Sequence, residues 1–194
     1  MKAAGVTLSH LDLAGFVAQL FIARGMGAKD AEAVADVLVW ADMRGTASHG
    51  VSRVPHYLGM IDKGQLDPAA VPDIRVDLGA VFSLDARMSA GPAAMMQALA
   101  GAQTRARAFG IGMALVGRTT HAGAIGYYAE KAAQQGFAAI VLAAGPPIMA
   151  YHGARVPSVS TAPIAIAVPG GPGGVILLDM ASSIVSNGRL KQAK

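Results

Sequence analysis

Asp42-Met43-Arg44-Gly45-Thr46-Ala47-Ser48-His49-Gly50-Val51-Ser52-Arg53-Val54-Pro55-His56-Tyr57 decides how the first third of this chain folds. A helix-patterned segment running into Met43 and Arg44 stops at Gly45, which can take the left-handed conformation that a side chain opposes. A Ser-His pair follows, then Arg53 four residues after the histidine, then Pro55. Two starts for the next helix are open. Ser48 can cap a helix beginning at His49. That start puts His49 and Arg53 on one face but leaves Pro55 interrupting an interior hydrogen bond. Ser52 can instead cap a later start with Pro55 in the first turn, where no bond is needed. The later start leaves His49 and Arg53 close in sequence but not fixed by helix geometry.

Upstream, residues 7–25 pattern as an amphipathic helix, with Thr7 or Ser9 as N-cap and Leu13, Phe16, Val17, Leu20 and Phe21 at helical spacing. Residues 29–44 repeat the pattern with Ala31, Val34, Val37, Leu38 and Ala41, and Gly25-Met26-Gly27 joins the two as a helical hairpin. The third helix runs to about Lys63, with Gly64 ending it. Downstream, Asp67-Pro68 and Val71-Pro72 form a turn-rich linker, and the composition then shifts. Ile74-Arg75-Val76 and Val81-Phe82-Ser83-Leu84 pattern as strands around an Asp77–Ala80 turn. Gly91-Pro92 opens a long helix to about Phe109. Ile111–Val116 is expected as a strand, residues 122–135 as a helix ended by Gly136, and Phe137–Ala143 as a buried strand without alternation. Ile164–Val168 and Val175–Leu178 are two more strands, and Met180 to Lys194 begins another helix. The expected class is α/β (α+β, mixed sheet). A helical segment over residues 1–70 precedes a mixed β/α domain over residues 71–194.

The 194 residues carry 53% apolar side chains, enough for a sizeable core without disulfides. There is no cysteine, which removes disulfides, thiolate metal sites and cysteine catalysis and fits a reducing cytoplasm. Net charge is +4 from only 14% charged residues, with no basic run, which argues against a nucleic-acid surface. The longest apolar stretch, residues 137–150, is broken by Gly145-Pro146-Pro147 and is too short to span a membrane; no signal peptide is expected. A chain this apolar is expected to bury further surface in an oligomer.

His49 is the candidate acid/base, because its ordinary pKa near 6.5 lets it exchange a proton at neutral pH. At a helix N-terminus the dipole would favour its neutral form. Ser48 orients the ring or caps a helix; a plain capped loop explains the same residues. Arg53 offers a planar fork for a carboxylate. Together, a proton donor and a carboxylate clamp suit reduction of a 2-oxo acid. Thr119 to Tyr128 reads as a strand-to-helix crossing. There Gly123 and Gly126 let a ligand approach free backbone N–H groups, or let the helix pack closely on a strand. His121 lies past the strand's carboxyl end, where open α/β sheets place ligands. Pro169-Gly170-Gly171-Pro172-Gly173-Gly174 joins two strands and lacks the Lys-Ser/Thr ending of a P-loop, so it is read as a hairpin turn. No G-x-G-x-x-G occurs, which leaves a Rossmann site unsupported. Asp179 can N-cap a following helix, or accept a hydrogen bond from a ribose or amide; the two are compatible. His10, His56 and His152 form no metal-site spacing and are read as structural or solvent-facing; no metal is expected.

Assembled, the motifs resemble the malate/L-lactate dehydrogenase family of NAD(P)-dependent 2-oxo-acid reductases, a group unrelated to Rossmann-type lactate dehydrogenases. The matching stretches are Ala41–Gly45 running into Ser48–Tyr57, Gly117–His121 before Gly126–Ala129, Ser160–Ala165, and Leu178–Ser183. The resemblance implies His49 as proton donor, with Ser48 beside it, and Arg53 as the holder of the substrate carboxylate. It implies that His121, Ala122, Gly123, Ala124 and Ile125 line the nicotinamide and substrate pocket. Thr161 would contact substrate, and Asp179, Met180, Ala181, Ser182 and Ser183 the cofactor, NAD or NADP. It further implies a non-Rossmann nucleotide-binding fold and a homodimer whose site is completed across the interface. Ala162 stands where the family usually has Asn. Ser186-Asn187-Gly188-Arg189 lacks the aspartate of imine-reducing members, which argues against cyclic imine reduction. Family members are considerably longer, so the nucleotide-binding domain is expected to be incomplete. The other expectation, from a different class, is a truncated, catalytically silent fragment serving only folding or dimerisation.

Overall fold

The capping residues set the first helices. In the computed structural model, which describes residues 7–183, α1 (His10–Ile22) is capped by Ser9, whose Oγ accepts the Asp12 N–H at 3.1 Å and donates to Asp12 Oδ2 at 2.7 Å. The cap is therefore Ser9 and not Thr7. α2 (Ala28–Met43) follows a turn in which Gly25 takes φ +85°, and Gly45, at φ +70°, lets the chain leave α2. α1 and α2 pack on each other as the expected hairpin. Two single 3-10 turns, Ala47–His49 and Val51–Arg53, then lead into α3 (Val54–Asp62).

The later helix start is the one adopted, since Pro55 falls in the first turn of α3, but neither serine caps it. Ser48 points to its histidine neighbour, and Ser52 Oγ donates to Ala47 O at 2.8 Å. The remaining elements are β1 (Asp73–Asp77), β2 (Val81–Asp85), α4 (Gly91–Phe109), β3 (Met113–Gly117), α5 (Gly126–Gln134), β4 (Ala139–Leu142), β5 (Ile164–Pro169) and β6 (Val175–Met180). β1, β2 and β3 lie in that order in one three-stranded sheet, and β4, β5 and β6 in another. The mixed α/β class stands.

The chain divides into two compact units. One is Met1–Arg75, Ser83–Ala94 and Val116–Gly123; the other is Val76–Phe82, Met95–Leu115 and Ala124–Lys194. In the first unit the apolar faces of α1 and α2 close over Val17, Phe21, Val34 and Leu38, with Tyr57 and Leu66 from α3 and its exit, and Ala90 and Ala93. Each of the larger aliphatic and aromatic side chains contributes about 1.5–3 kcal/mol on full burial.

In the second unit, α5 covers one face of the antiparallel β4–β5–β6 sheet. Cross-strand register puts Ala139, Val141, Ala165, Ala167, Leu177 and Asp179 on one face, and Ala165 and Ala167 are fully buried there. The opposite face carries Ile140, Leu142, Ile164, Ile166, Val168, Ile176, Leu178 and Met180. Of these, Ile140, Leu142 and Ile176 are two-thirds exposed.

Three expectations change here. β4 alternates between covered and exposed residues and is not buried on both faces; among the described elements α5 packs on one face of its sheet. α5 begins at Gly126, not residue 122, because residues 122–125 form an irregular connection that Gly123 enters at φ +73°. Met180 is the last residue of β6 and starts no helix; residues 181–183 are irregular, and the rest of that expected helix lies outside the described residues, as does Ser186–Arg189. The Pro169–Gly174 segment is the hairpin connection between β5 and β6, with Pro169 paired to Val175.

Candidate functional site

The two 3-10 turns place the Ser-His-Gly segment, and an acid upstream holds it. Asp42, near the end of α2, accepts the Val51 N–H through Oδ2 at 2.8 Å. Its carboxylate lies where a Cβ on Gly50 would be, so a larger residue at position 50 would have to displace the Asp42 side chain. Ser48 is buried, with its Oγ 3.0 Å from His49 Nδ1, which leaves His49 Nε2 as the nitrogen available to a ligand. Burial first, and then the Arg53 charge, hold the His49 pKa below the ordinary 6.5. His49 is therefore a neutral imidazole at pH 7. The expected direction is met, but burial rather than a helix dipole causes it. Arg53 Nε is buried with no hydrogen-bond partner among the described residues. Leaving such a donor unmatched costs about 1–3 kcal/mol, more for a charged group, unless a ligand completes it.

His121 reaches this segment from beyond β3. Its arm is laced onto residues 85–91: Ala86 N–H donates to Gly117 O at 2.9 Å, and Met88 N–H to Arg118 O at 2.7 Å. The Arg118 guanidinium donates to Asp85 at 3.1 Å. Thr120 Oγ1 accepts the Gly91 N–H at 2.9 Å and donates to Ser89 O at 3.1 Å. Arg87, Met88 and Arg118 all adopt positive φ along this lacing, a costly conformation for side-chain-bearing residues. The His121 ring comes to rest 5.5 Å, centroid to centroid, from the His49 ring. Its pKa is lowered to about 3, by burial first and then by the charges of Arg53, His49 and His56. Tyr57, from α3, is buried beneath it with Oη 2.7 Å from His121 Nδ1.

In the second unit, Asp179 does not cap a following helix. It sits in β6 opposite Ala165 and accepts the Gly126 N–H through Oδ2 at 3.0 Å, closing the first turn of α5 from across the sheet. A Cβ on Gly126 would lie 2.9 Å from Asp179 Cβ and Cγ, so that glycine serves close packing. Burial raises the Asp179 pKa, against the lowering effect of the Gly126 bond. Ala124 and Ile125 are buried just before α5. Thr161 O accepts both the Ser182 N–H at 2.9 Å and Ser182 Oγ at 2.8 Å, which brings these two candidates together. Ala162 takes φ +27°, a region where Asn is tolerated better than Ala. Met180 ends β6, and Ala181 and Ser183 lie in the irregular segment after it.

Sequence reasoning missed Asp42, Tyr57, Gly91 and Thr120. Tyr57 lay inside the quoted stretch, but its partner is 64 residues away. Among the described residues no group of three His, Asp or Glu side chains gathers as a metal site, and no helix is long and apolar enough to cross a membrane.

The comparisons agree with this architecture. The malate/L-lactate dehydrogenase family matches residues 8–194. A malate dehydrogenase of Pyrococcus abyssi (strain GE5 / Orsay) is 35% identical over 180 residues, covering 93% of this chain and 49% of its own length. The ureidoglycolate dehydrogenase (NAD(+)) of Escherichia coli (strain K12) is 32% identical over 172 residues, covering 88% and 49%. The solved structure of malate dehydrogenase from Pyrococcus horikoshii OT3 superposes with a TM-score of 0.92 at 31% identity, covering 96% of this chain and 53% of that one. These relatives are oxidoreductases of one fold. This chain belongs to the malate/L-lactate dehydrogenase family, and it spans about half the length of the curated relatives it matches.

Proposed function

We propose that this protein transfers a hydride between NAD(P)H and a small 2-oxo acid, with the 2-hydroxy acid as substrate in reverse. The observation that carries the reading is Arg53, a buried guanidinium nitrogen without a partner among the described residues, whose charge acts on two neutral imidazoles. A carboxylate completes that donor. Its negative charge also offsets the Arg53 charge, the smaller of the two causes that hold down the His49 pKa, and so eases protonation of the ring. His49 then gives the proton from Nε2 to the carbonyl oxygen while the carbonyl carbon gains the hydride. Ser48 at Nδ1 orients the ring.

Reduced nicotinamide, when bound, supplies the hydride. Residues His121 to Ile125 and Asp179 to Ser183 would hold the cofactor, and Thr161 would touch substrate. The donor set fits. Among the described residues the Gly126 N–H engages Asp179 Oδ2, and the carboxylate has further lone pairs to accept from a ribose hydroxyl or carboxamide. A cytoplasmic homodimer, with a helical part to about residue 70 and a nucleotide-binding part after it, belongs to the same proposal. The uncovered apolar face of the β4–β6 sheet and the absence of cysteine support it.

That same apolar face favours a second reading, a catalytically silent chain used for folding or dimerisation. A panel of 2-oxo acids, malate-, lactate- and ureidoglycolate-related, assayed with NADH and with NADPH separates the two. Turnover abolished by His49→Ala is expected. No turnover with any pair, together with no NAD(P)H binding by calorimetry, leaves the silent reading.

A further inference from the structure

Nothing in the site as described explains why a fully buried tyrosine sits beneath His121. Tyr57 is 1% exposed, and its hydroxyl is within reach of two acceptors on one residue, His121 Nδ1 at 2.7 Å and His121 O at 3.1 Å. The Gly123 N–H also points at His121 Nδ1, at 3.1 Å. A backbone N–H can only donate, so Nδ1 must present its lone pair. The ring proton is then on Nε2.

We propose that Tyr57 is a positioning residue that, with the Gly123 N–H, locks His121 into its Nε2–H tautomer. The site then contains two imidazoles of different kinds: His49 exchanges a proton, and His121 is a fixed donor. Protonating His121 at Nδ1 would set N–H against N–H at Gly123 and force the Tyr57 hydroxyl to turn from donor to acceptor at that nitrogen. The charged and titratable groups around the ring are Arg53, His49 and His56, all cationic or potentially so, and Tyr57 itself. Each disfavours a second proton. Burial keeps the Tyr57 phenol protonated, so it remains a donor across the working pH range.

Gly91 and Gly123 support the same arrangement. A Cβ at Gly91 would lie 2.6 Å from the His121 carbonyl carbon. Gly123 needs its positive φ to aim its N–H back at the ring. Both fix the backbone on either side of the imidazole. Under the proposed function, which this consequence rests on, the Nε2–H polarises the carbonyl oxygen or steadies a ligand amide without titrating.

The test is long-range proton–nitrogen correlation NMR on the uniformly labelled full chain. The expected spectrum shows pyridine-type Nδ1 and pyrrole-type Nε2 for His121, unchanged from about pH 8 down to about pH 5, a window that spans the ordinary histidine value. A pyrrole-type Nδ1, or titration at the ordinary value, overturns the proposal. Tyr57→Phe keeps the ring against Phe21 and removes only the hydroxyl. It is expected to shift the tautomer or protonation equilibrium about tenfold, one pKa unit, the size of one net hydrogen bond. A folded variant with an unmoved His121 overturns the role of Tyr57.

A second readout needs no variant: the Tyr57 hydroxyl proton should be protected from exchange and show a cross-peak to His121. A rapidly exchanging hydroxyl counts against the lock. If every 2-oxo acid fails while His121 holds the Nε2–H form, the proposed function falls and the tautomer lock stands. Turnover by a chain whose His121 carries its proton on Nδ1 gives the opposite outcome: the function stands and the lock falls.

Discussion

Arg53 is where charge and chemistry meet at the residue scale. Its guanidinium is a cause of the lowered pKa at both His49 and His121. Arg53→Gln should therefore raise both values, read as histidine titrations by NMR, whether or not the chain turns over substrate. Unmoved titrations would mean that burial alone sets them. Arg53→Lys keeps the charge but loses the fork, so the histidines should hardly move while the Michaelis constant for 2-oxo acids rises. His49→Ala should cut turnover by about 10²–10⁴-fold, the usual contribution of an acid–base group. The stretch from Asp42 to Tyr57 holds His49, Ser48 and Arg53, and the fold puts Ser48 on the His49 ring and the Arg53 charge near it. The stretch alone could not show that Asp42 holds Val51, nor that the same carboxylate occupies the space a Cβ on Gly50 would take. Those facts depend on the path the chain takes between helices, which no spacing rule encodes.

At the scale of elements, glycines separate structural necessity from chain economy. Gly91 opens α4 directly against the Thr120 and His121 carbonyls. A methyl there would lie 2.7 Å from Thr120 O, and backbone cannot move aside as a flexible side chain can. Gly91→Ala is expected to destabilise by about 1–3 kcal/mol through overpacking and to shift the His121 resonances. Gly59 lies in α3 with open space at its Cβ position. Gly59→Ala should stabilise by about 0.5–1 kcal/mol, by restricting the unfolded chain and favouring helix. Urea unfolding of the two variants side by side tests the distinction, and equal effects would refute it. Helices and hairpins were readable because their signals are local: Ser9 before an apolar period, Gly45 after one, Gly-Pro at 91–92, and the glycine-rich turn between β5 and β6. The covering of β4 was not readable. Its run of apolar residues looks the same whether one face is packed or two, and among the described elements α5 packs on one face. The start of α5 was placed four residues early for a related reason. Ala122 to Ile125 suits a helix locally, but His121 and Asp179 claim the backbone N–H groups of Gly123 and Gly126.

At the scale of the whole molecule, burying two neutral histidines makes folding depend on pH. His121 has a folded pKa of about 3 against an ordinary 6.5, so at high pH both states are unprotonated and the full stability is present. As pH falls below 6.5 the unfolded chain binds a proton that the folded chain refuses, and stability declines until the folded value is reached. From about pH 7 to about pH 5 this one residue should remove about 2 kcal/mol, and the lowered pKa of His49 adds in the same direction. Asp179 acts in the opposite sense. Its raised pKa means that the folded chain takes up a proton first, so that part of stability grows as pH falls through the folded value. Urea unfolding at about pH 7 and about pH 5 should show a loss that His121→Gln flattens by most of the difference. A steep pH dependence surviving in His121→Gln would mean that the imidazole is not held neutral by the fold. It would also remove the physical basis for treating His49 as the only titrating imidazole of the pair.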